Sequence, residues 1–225
     1  MRGRREILLP SIVYAVKPMI RLLNFSVRML TGALPLLVLL TVAHADAPYS
    51  FESTPGQLPK TVAPVHYTLD LQPDLEALTV TGSAVIDIEV LKPTDRLVLN
   101  AVDMTFSATS LDGVASAPTI TMDKDAQTVA LTFPRAIEAG RHKLRIAYSG
   151  QINKFGRGVY SIDYRTDDGR KRMIASHSEP SDARRIFPGW DEPAFKATFD
   201  LSVMVPERFM AVSNMPVTRP SATKG

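Results

Sequence analysis

From Thr61 onward, apolar and polar residues alternate with a period of two. Val65, Tyr67, Leu69 and Leu71 fall on one side of a segment whose other side carries His66, Thr68 and Asp70. In TVTGSAVIDIEV, residues 79–90, Val80, Ala84, Ile86, Ile88 and Val90 share one face, and Thr81, Asp87 and Glu89 share the other. Successive side chains of a strand point to opposite faces of a sheet, so this pattern predicts half-buried β-strands. Further strands are predicted at residues 96–100, 104–111, 128–133, 143–148, 159–164, 172–176 and 195–205. Turn-forming clusters separate them: Lys92-Pro93-Thr94-Asp95, Asp112-Gly113, Glu138-Ala139-Gly140 and Asp167-Asp168-Gly169. Asp168-Gly169 predicts a hairpin between Tyr164 and Met173, with a loop longer than two residues. No long stretch after residue 45 carries a 3.6-residue apolar stripe. Short strands without helices define an all-β, largely antiparallel, sandwich-like fold over residues 61–225.

The residues before Thr61 read differently. ALPLLVLLTVA, residues 33–43, is a continuous apolar run well short of the ~20 residues that span a bilayer. It ends in the small-x-small sequence Ala43-His44-Ala45, and residues 1–45 hold six basic side chains against Glu6 alone. These features predict a secretory signal over residues 1–45, cleaved after Ala45, with Met19 as an alternative start. An uncleaved anchor formed with the earlier apolar run 7–16 is the competing reading, and only then would a membrane be a partner. Residues 46–60 are rich in Pro, Ser and Gly and read as a linker. Cleavage leaves 20 basic and 22 acidic side chains, so the basic footprint of a nucleic-acid partner is lacking. With no cysteine, no disulfide marks the compartment; the leader alone implies export to the periplasm or the extracellular space. At 225 residues and 45% hydrophobic, the chain has room for one well-buried domain plus a short extra segment.

Few residues offer chemistry. His44 leaves with the leader, and His66, His142 and His177 show none of the HExxH spacing that puts two imidazoles on one helix face. His66 and His142 read as surface or edge imidazoles within strands. No G-x-S-x-G elbow or phosphate-binding glycine loop occurs, and Gly156-Arg157-Gly158 reads as a turn before a strand. The distinctive stretch is SHSEPSDARRIFPGWDEPAFKATFDLSVMVPERFMAVSN, residues 176–214. Glu179 projects from the end of a predicted strand, where Arg184-Arg185 offer partners to it or to Asp182. Taken alone, Glu179 reads as a solvated loop acid and Trp190 as packing for the loop.

The order of blocks gives these residues a context. Leu58-Pro59 and residues 64–71, then Pro93-Thr94 before residues 97–101, then residues 183–199, and finally Ala211-Val212-Ser213-Asn214-Met215-Pro216 resemble the N-terminal domain of the aminopeptidase N family. That resemblance covers essentially the whole chain after the leader. It implies a saddle-shaped, mainly β domain seated beside a thermolysin-like catalytic domain. It also places Ser176-His177-Ser178-Glu179-Pro180 on the family's Thr-Gln-x-Glu-Pro loop. Glu179 then takes the position whose carboxylate receives the substrate's free α-amino group. His177 stands where the family has Gln, which makes it a candidate contact in the first substrate subsite, and Gly189 stands where the family commonly has Cys.

The family's GAMEN motif and zinc-binding HExxH helix do not occur up to Gly225. The resemblance therefore implies an N-terminal fragment of an exported zinc aminopeptidase, whose zinc ligands lie beyond Gly225. This chain alone is expected to bind no zinc and cleave no peptide. Its implied partners are peptides with a free N-terminus and the catalytic domain. The alternatives are a secreted, non-catalytic β-sandwich binding module derived from such a peptidase, and an epoxide-hydrolysing or inactive relative.

Overall fold

The computed structural model describes residues 49–218, and the predicted leader lies outside them. The alternating segments form β1 (Val62–Asp74), β2 (Thr79–Val90), β3 (Thr94–Asn100), β4 (Met104–Leu111) and β5 (Thr119–Asp123). They continue in β6 (Thr128–Ile137), β7 (Gly140–Gln151), β8 (Gly158–Thr166), β9 (Gly169–His177) and β10 (Thr198–Val203). A five-stranded sheet has the order β10-β1-β2-β7-β4, a second sheet has β3-β6-β5, and β8 with β9 forms a separate hairpin. Among the described residues every strand pairing is antiparallel except β1 with β10. The one helical element described is the 3₁₀ turn Ala183–Arg185. This is the all-β, largely antiparallel architecture the alternation predicts.

The two larger sheets share one core. Ala84, Ile86, Ile88 and Val90 of β2 join Leu144 and Ile146 of β7, and the same cluster takes in Leu97 and Leu99 of β3 with Val129 and Leu131 of β6. Each of the larger aliphatic side chains, fully buried, contributes about 1.5–3 kcal/mol. On the opposite face of β2, Asp87 pairs with Lys143 and Glu89 with Arg141 (3.3 Å), each directly across from its partner on β7. Alternation thus sets the register as well as the burial.

Gly82 marks a close approach within this sheet. A Cβ there would lie 2.5 Å from Tyr148 Cζ, and the Tyr148 hydroxyl donates to the Ile186 carbonyl (3.0 Å). The glycine therefore admits a buried ring that ties β7 to the loop after the 3₁₀ turn. Gly82→Ala is expected to destabilise the domain by about 2 kcal/mol, by displacing the ring and stretching that hydrogen bond. The shift of the urea unfolding midpoint measures it.

Three local expectations are corrected. β5 was not expected: its five residues are all exposed, so Ile120 and Met122 show no contrast in burial, and β6 alone holds it. The β8–β9 loop is two residues, Asp167-Asp168, because pairing continues to Thr166 opposite Gly169. The charged strand ends around it hide that continuation, and Gly169, the residue just after the turn, takes a positive φ (110°) that glycine accommodates. The strand expected over 195–205 is confined to Thr198–Val203, since Phe195 is buried in the loop against Phe51 (ring centroids 5.3 Å).

The described part of the segment read as a linker forms no strand before Val62 but packs onto the domain. Leu58 is buried in the core, and Glu192 accepts the backbone N–H groups of Gln57 (2.8 Å) and Leu58 (3.1 Å). The Tyr49 hydroxyl donates to the Ala194 carbonyl. Proline and glycine gave this strap its linker-like composition, while Phe51 and Leu58 supply its packing.

Candidate functional site

The β9 strand ends at His177, which lies across the ladder from Gly158 of β8. Ser178–Asp182 then folds as a turn closed by the Asp182 N–H donating to the Ser178 carbonyl (2.8 Å). The Glu179–Pro180 peptide bond within it is cis. His177 and Glu179 both sit at this corner with exposed side chains. Neither side chain has a hydrogen-bond or ion-pair partner among the described residues, so the carboxylate is free to meet a cation.

What fixes the corner is Asp182, only 2% exposed. Its Oδ2 accepts from Arg157 Nε (2.9 Å) and its Oδ1 from Arg185 Nε (3.0 Å), while Arg185 also reaches Asp103 (3.2 Å). The hydrogen bond from Arg157, with support from Arg185, holds the Asp182 carboxyl below the ordinary carboxylate range against the opposing effect of burial. The charges offered by the arginine pair are thus taken up: Arg185 goes to Asp182, and Arg184 goes to Asp191 (2.9 Å). Glu179 receives neither.

Gly158 makes this arrangement sterically feasible. Its φ is +62°, and a Cβ there would lie 2.5 Å from Arg185 Cβ. Gly158→Ala is expected to cost about 2–3 kcal/mol, combining a left-handed backbone with a clash beneath the ion cluster. The loss should appear in thermal or urea unfolding and be accompanied by faster amide exchange at residues 177–185.

The run from Ile186 to Phe195 is architectural. The Gly189 backbone forms an antiparallel bridge with Asn100, whose Oδ1 also accepts the Asp191 N–H (3.1 Å). Trp190 joins the core, as the sequence suggested, and its backbone N–H donates to the Tyr67 hydroxyl oxygen (3.1 Å). Burial raises the Tyr67 phenol well above its ordinary pKa, so it stays neutral. A Cβ at Gly189 would lie 3.0 Å from that hydroxyl, so glycine suits the crowded spot. Arg184 spans the loop, donating to the Asp191 carboxylate and carbonyl and to Gln127 Oε1 (3.2 Å).

The donor set does not suit zinc. His66 Nδ1 meets Thr198 Oγ1 (2.7 Å) and its Nε2 lies 3.4 Å from Asp200, while His142 Nε2 meets the Glu138 carbonyl (2.9 Å). These imidazoles, with His177, sit on three different strands, and among the described residues no three metal-binding side chains converge.

The described residues thus form a β-sandwich domain that displays the exposed Glu179 carboxylate on a corner braced by Asp182. Residues 63–224 match the Peptidase M1 N-terminal domain. The chain is 46% identical to the aminopeptidase N of Acetobacter pasteurianus over 176 residues, which cover 78% of this chain and 49% of that protein. It is 40% identical to aminopeptidase M1-C of Oryza sativa subsp. japonica, covering 78% of this chain and 20% of that protein. Endoplasmic reticulum aminopeptidase 1 of Homo sapiens is 32% identical over 82% of this chain and 22% of its own length. The chain belongs to the M1 peptidase family and is its N-terminal domain. It spans about half, or about a fifth, of the length of these curated relatives.

Proposed function

We propose that this chain is the first domain of an exported zinc aminopeptidase, and that Glu179 receives the α-ammonium group of peptide substrates. The observation that carries this reading is the exposed, unpaired Glu179 carboxylate on a turn braced by the buried Asp182 cluster. A carboxylate forms short charge-assisted hydrogen bonds to an ammonium group, and these strengthen once a neighbouring domain excludes water. An internal peptide bond offers no such cation, so the acid favours removal of N-terminal residues. His177, one strand position before the turn, contributes an imidazole to the same end of the substrate. Zinc and the groups that cleave the peptide bond belong to the remainder of the polypeptide, and the 225-residue chain alone is inactive. The leader pattern of residues 1–45 supports export to the periplasm or the extracellular space.

The test is turnover by the complete polypeptide of aminoacyl anilides with free and with acetylated N-termini. The free-amine substrate is expected to be cleaved and the acetylated one to be refused. Equal turnover of the two would overturn the reading, as would metal-dependent hydrolysis by the isolated 225-residue chain.

A further inference from the structure

A cleft of about 370 Å³ opens where three segments of the chain meet. Leu75 and Glu76 enter it from the turn between β1 and β2, and Arg208 and Phe209 from the turn after β10. The outer half of the hairpin supplies Asp163 of β8 and Arg170, Lys171 and Arg172 of β9. Asp163 and Arg172 lie opposite each other five pairs along the ladder from Gly158 and His177, about 17 Å by strand rise. Four cationic side chains thus face two carboxylates, in a chain that carries 20 basic and 22 acidic side chains after residue 45. The excess is local to the cleft.

The carboxylates do not cancel it. Arg172 donates from Nε and Nη2 to the two oxygens of Asp163 (2.6 and 3.1 Å), and from Nη1 to the Leu75 carbonyl (3.0 Å). Three bonds fix this guanidinium and use up Asp163. The hydrogen bond from Arg172, with Lys154 and Arg170 adding their charge, holds the Asp163 carboxyl below the ordinary carboxylate range. Glu76 also acts on Arg172. Arg170 and Arg208, by contrast, meet no carboxylate among the described residues, and Lys171 meets only the exposed Asp168 (3.2 Å). Arg208 is ordered in another way: its guanidinium lies over the Phe209 ring, 4.8 Å from the centroid. Stacking occupies the flat face of the group and leaves its N–H edge free to donate.

We propose that this cleft binds the oxyanion of a small ligand, a carboxylate or a phosphate, with Arg208 and Arg170 as its principal donors. Guanidinium groups match both anions in geometry, and charge-assisted hydrogen bonds are the strong ones. Leu75 and Phe209 add half-buried apolar walls, and a concave site lined by one sign of charge concentrates its field on an incoming ion. The C-terminal carboxylate of a peptide and inorganic phosphate carry the same chemistry. This site goes beyond the role proposed for Glu179 and does not rest on it.

The experiment follows the amide resonances of the 225-residue chain during titration with inorganic phosphate, with acetyl-Ala-Ala, and with the C-terminal amide of that peptide. Chloride keeps the ionic strength constant, so general screening does not change. Saturable shifts are expected at residues 75–76, 170–172 and 208–209 with phosphate, with the peptide acid, or with both, and none with the amide. Which of the two anions saturates the site identifies the source. Arg208→Gln and Arg170→Gln, both at exposed positions, are each expected to weaken the binding about tenfold while leaving the resonances of β2 and β7 in place. The proposal fails if neither anion saturates, if the amide acts like the acid, or if the shifts spread equally to Arg96 and Arg145 on other strands. Binding that is undiminished in both variants would also overturn it.

Discussion

Asp182→Ala is expected to destabilise the domain by about 3 kcal/mol, because it leaves the mostly buried guanidinium of Arg185 with only the exposed Asp103 as a partner. The carboxylate is almost fully buried and answers two arginines, so no surface rearrangement replaces it. Arg157 is half exposed and recovers water when the partner is lost, which places the loss at the lower end for a buried pair. Asp182→Asn keeps the shape and removes the charge, so it separates packing from electrostatics. The sign of the pH dependence follows from the lowered folded-state pKa. The carboxylate's contribution is complete above its unfolded value of about 3.9 and is lost as pH falls through the lower folded value. The stability difference between the parent and Asp182→Asn should therefore be flat from pH 8 to about 5 and shrink below about 4. Urea unfolding at a series of pH values measures it; a difference that grows with acid would contradict the assignment.

Glu179→Ala, made in the complete enzyme, is expected to lower kcat/KM for free-amine substrates by about 10²- to 10³-fold. The loss comes from stranding a desolvated ammonium group, worth roughly 3–4 kcal/mol, rather than from any change in fold. Stability should stay near that of the parent, since Glu179 is exposed and takes no part in the Asp182 cluster. That contrast separates the two acids of the corner: Asp182 holds it, and Glu179 is the one proposed to meet substrate. On the proposed reading, His177→Ala should move substrate preference more than overall rate, because the imidazole would supply shape to the subsite rather than the counter-charge.

The sandwich was legible because burial and alternation coincide where the sheets face each other. β2 is the clearest case, with inward residues fully buried and charged cross-strand pairs outside. β5 was missed for a different reason: Thr119-Ile120-Thr121-Met122-Asp123 does alternate, but over five residues only, and none of them is buried. The two-residue turn at Asp167-Asp168 was obscured because the strand ends beside it are charged and exposed, so pairing there rests on the backbone. At the corner, the sequence pointed to Glu179 and His177 through the resemblance but gave Asp182 no distinction from any loop acid. Its burial goes with Arg157, which lies 25 residues earlier and reaches it across the base of the β8–β9 hairpin. Gly158 carried a signal as one of two glycines around that arginine, though as a close-approach site it became readable only in three dimensions.

The most direct test compares the parent complete enzyme with Glu179→Gln, measuring kcat/KM for one peptide with its N-terminus free and again with it acetylated. Glutamine keeps the size and hydrogen-bonding reach of the side chain and removes its charge. The account predicts a strong preference for the free amine in the parent and a collapse of that preference in the variant, through loss of the free-amine rate. A preference undiminished by the substitution would contradict it.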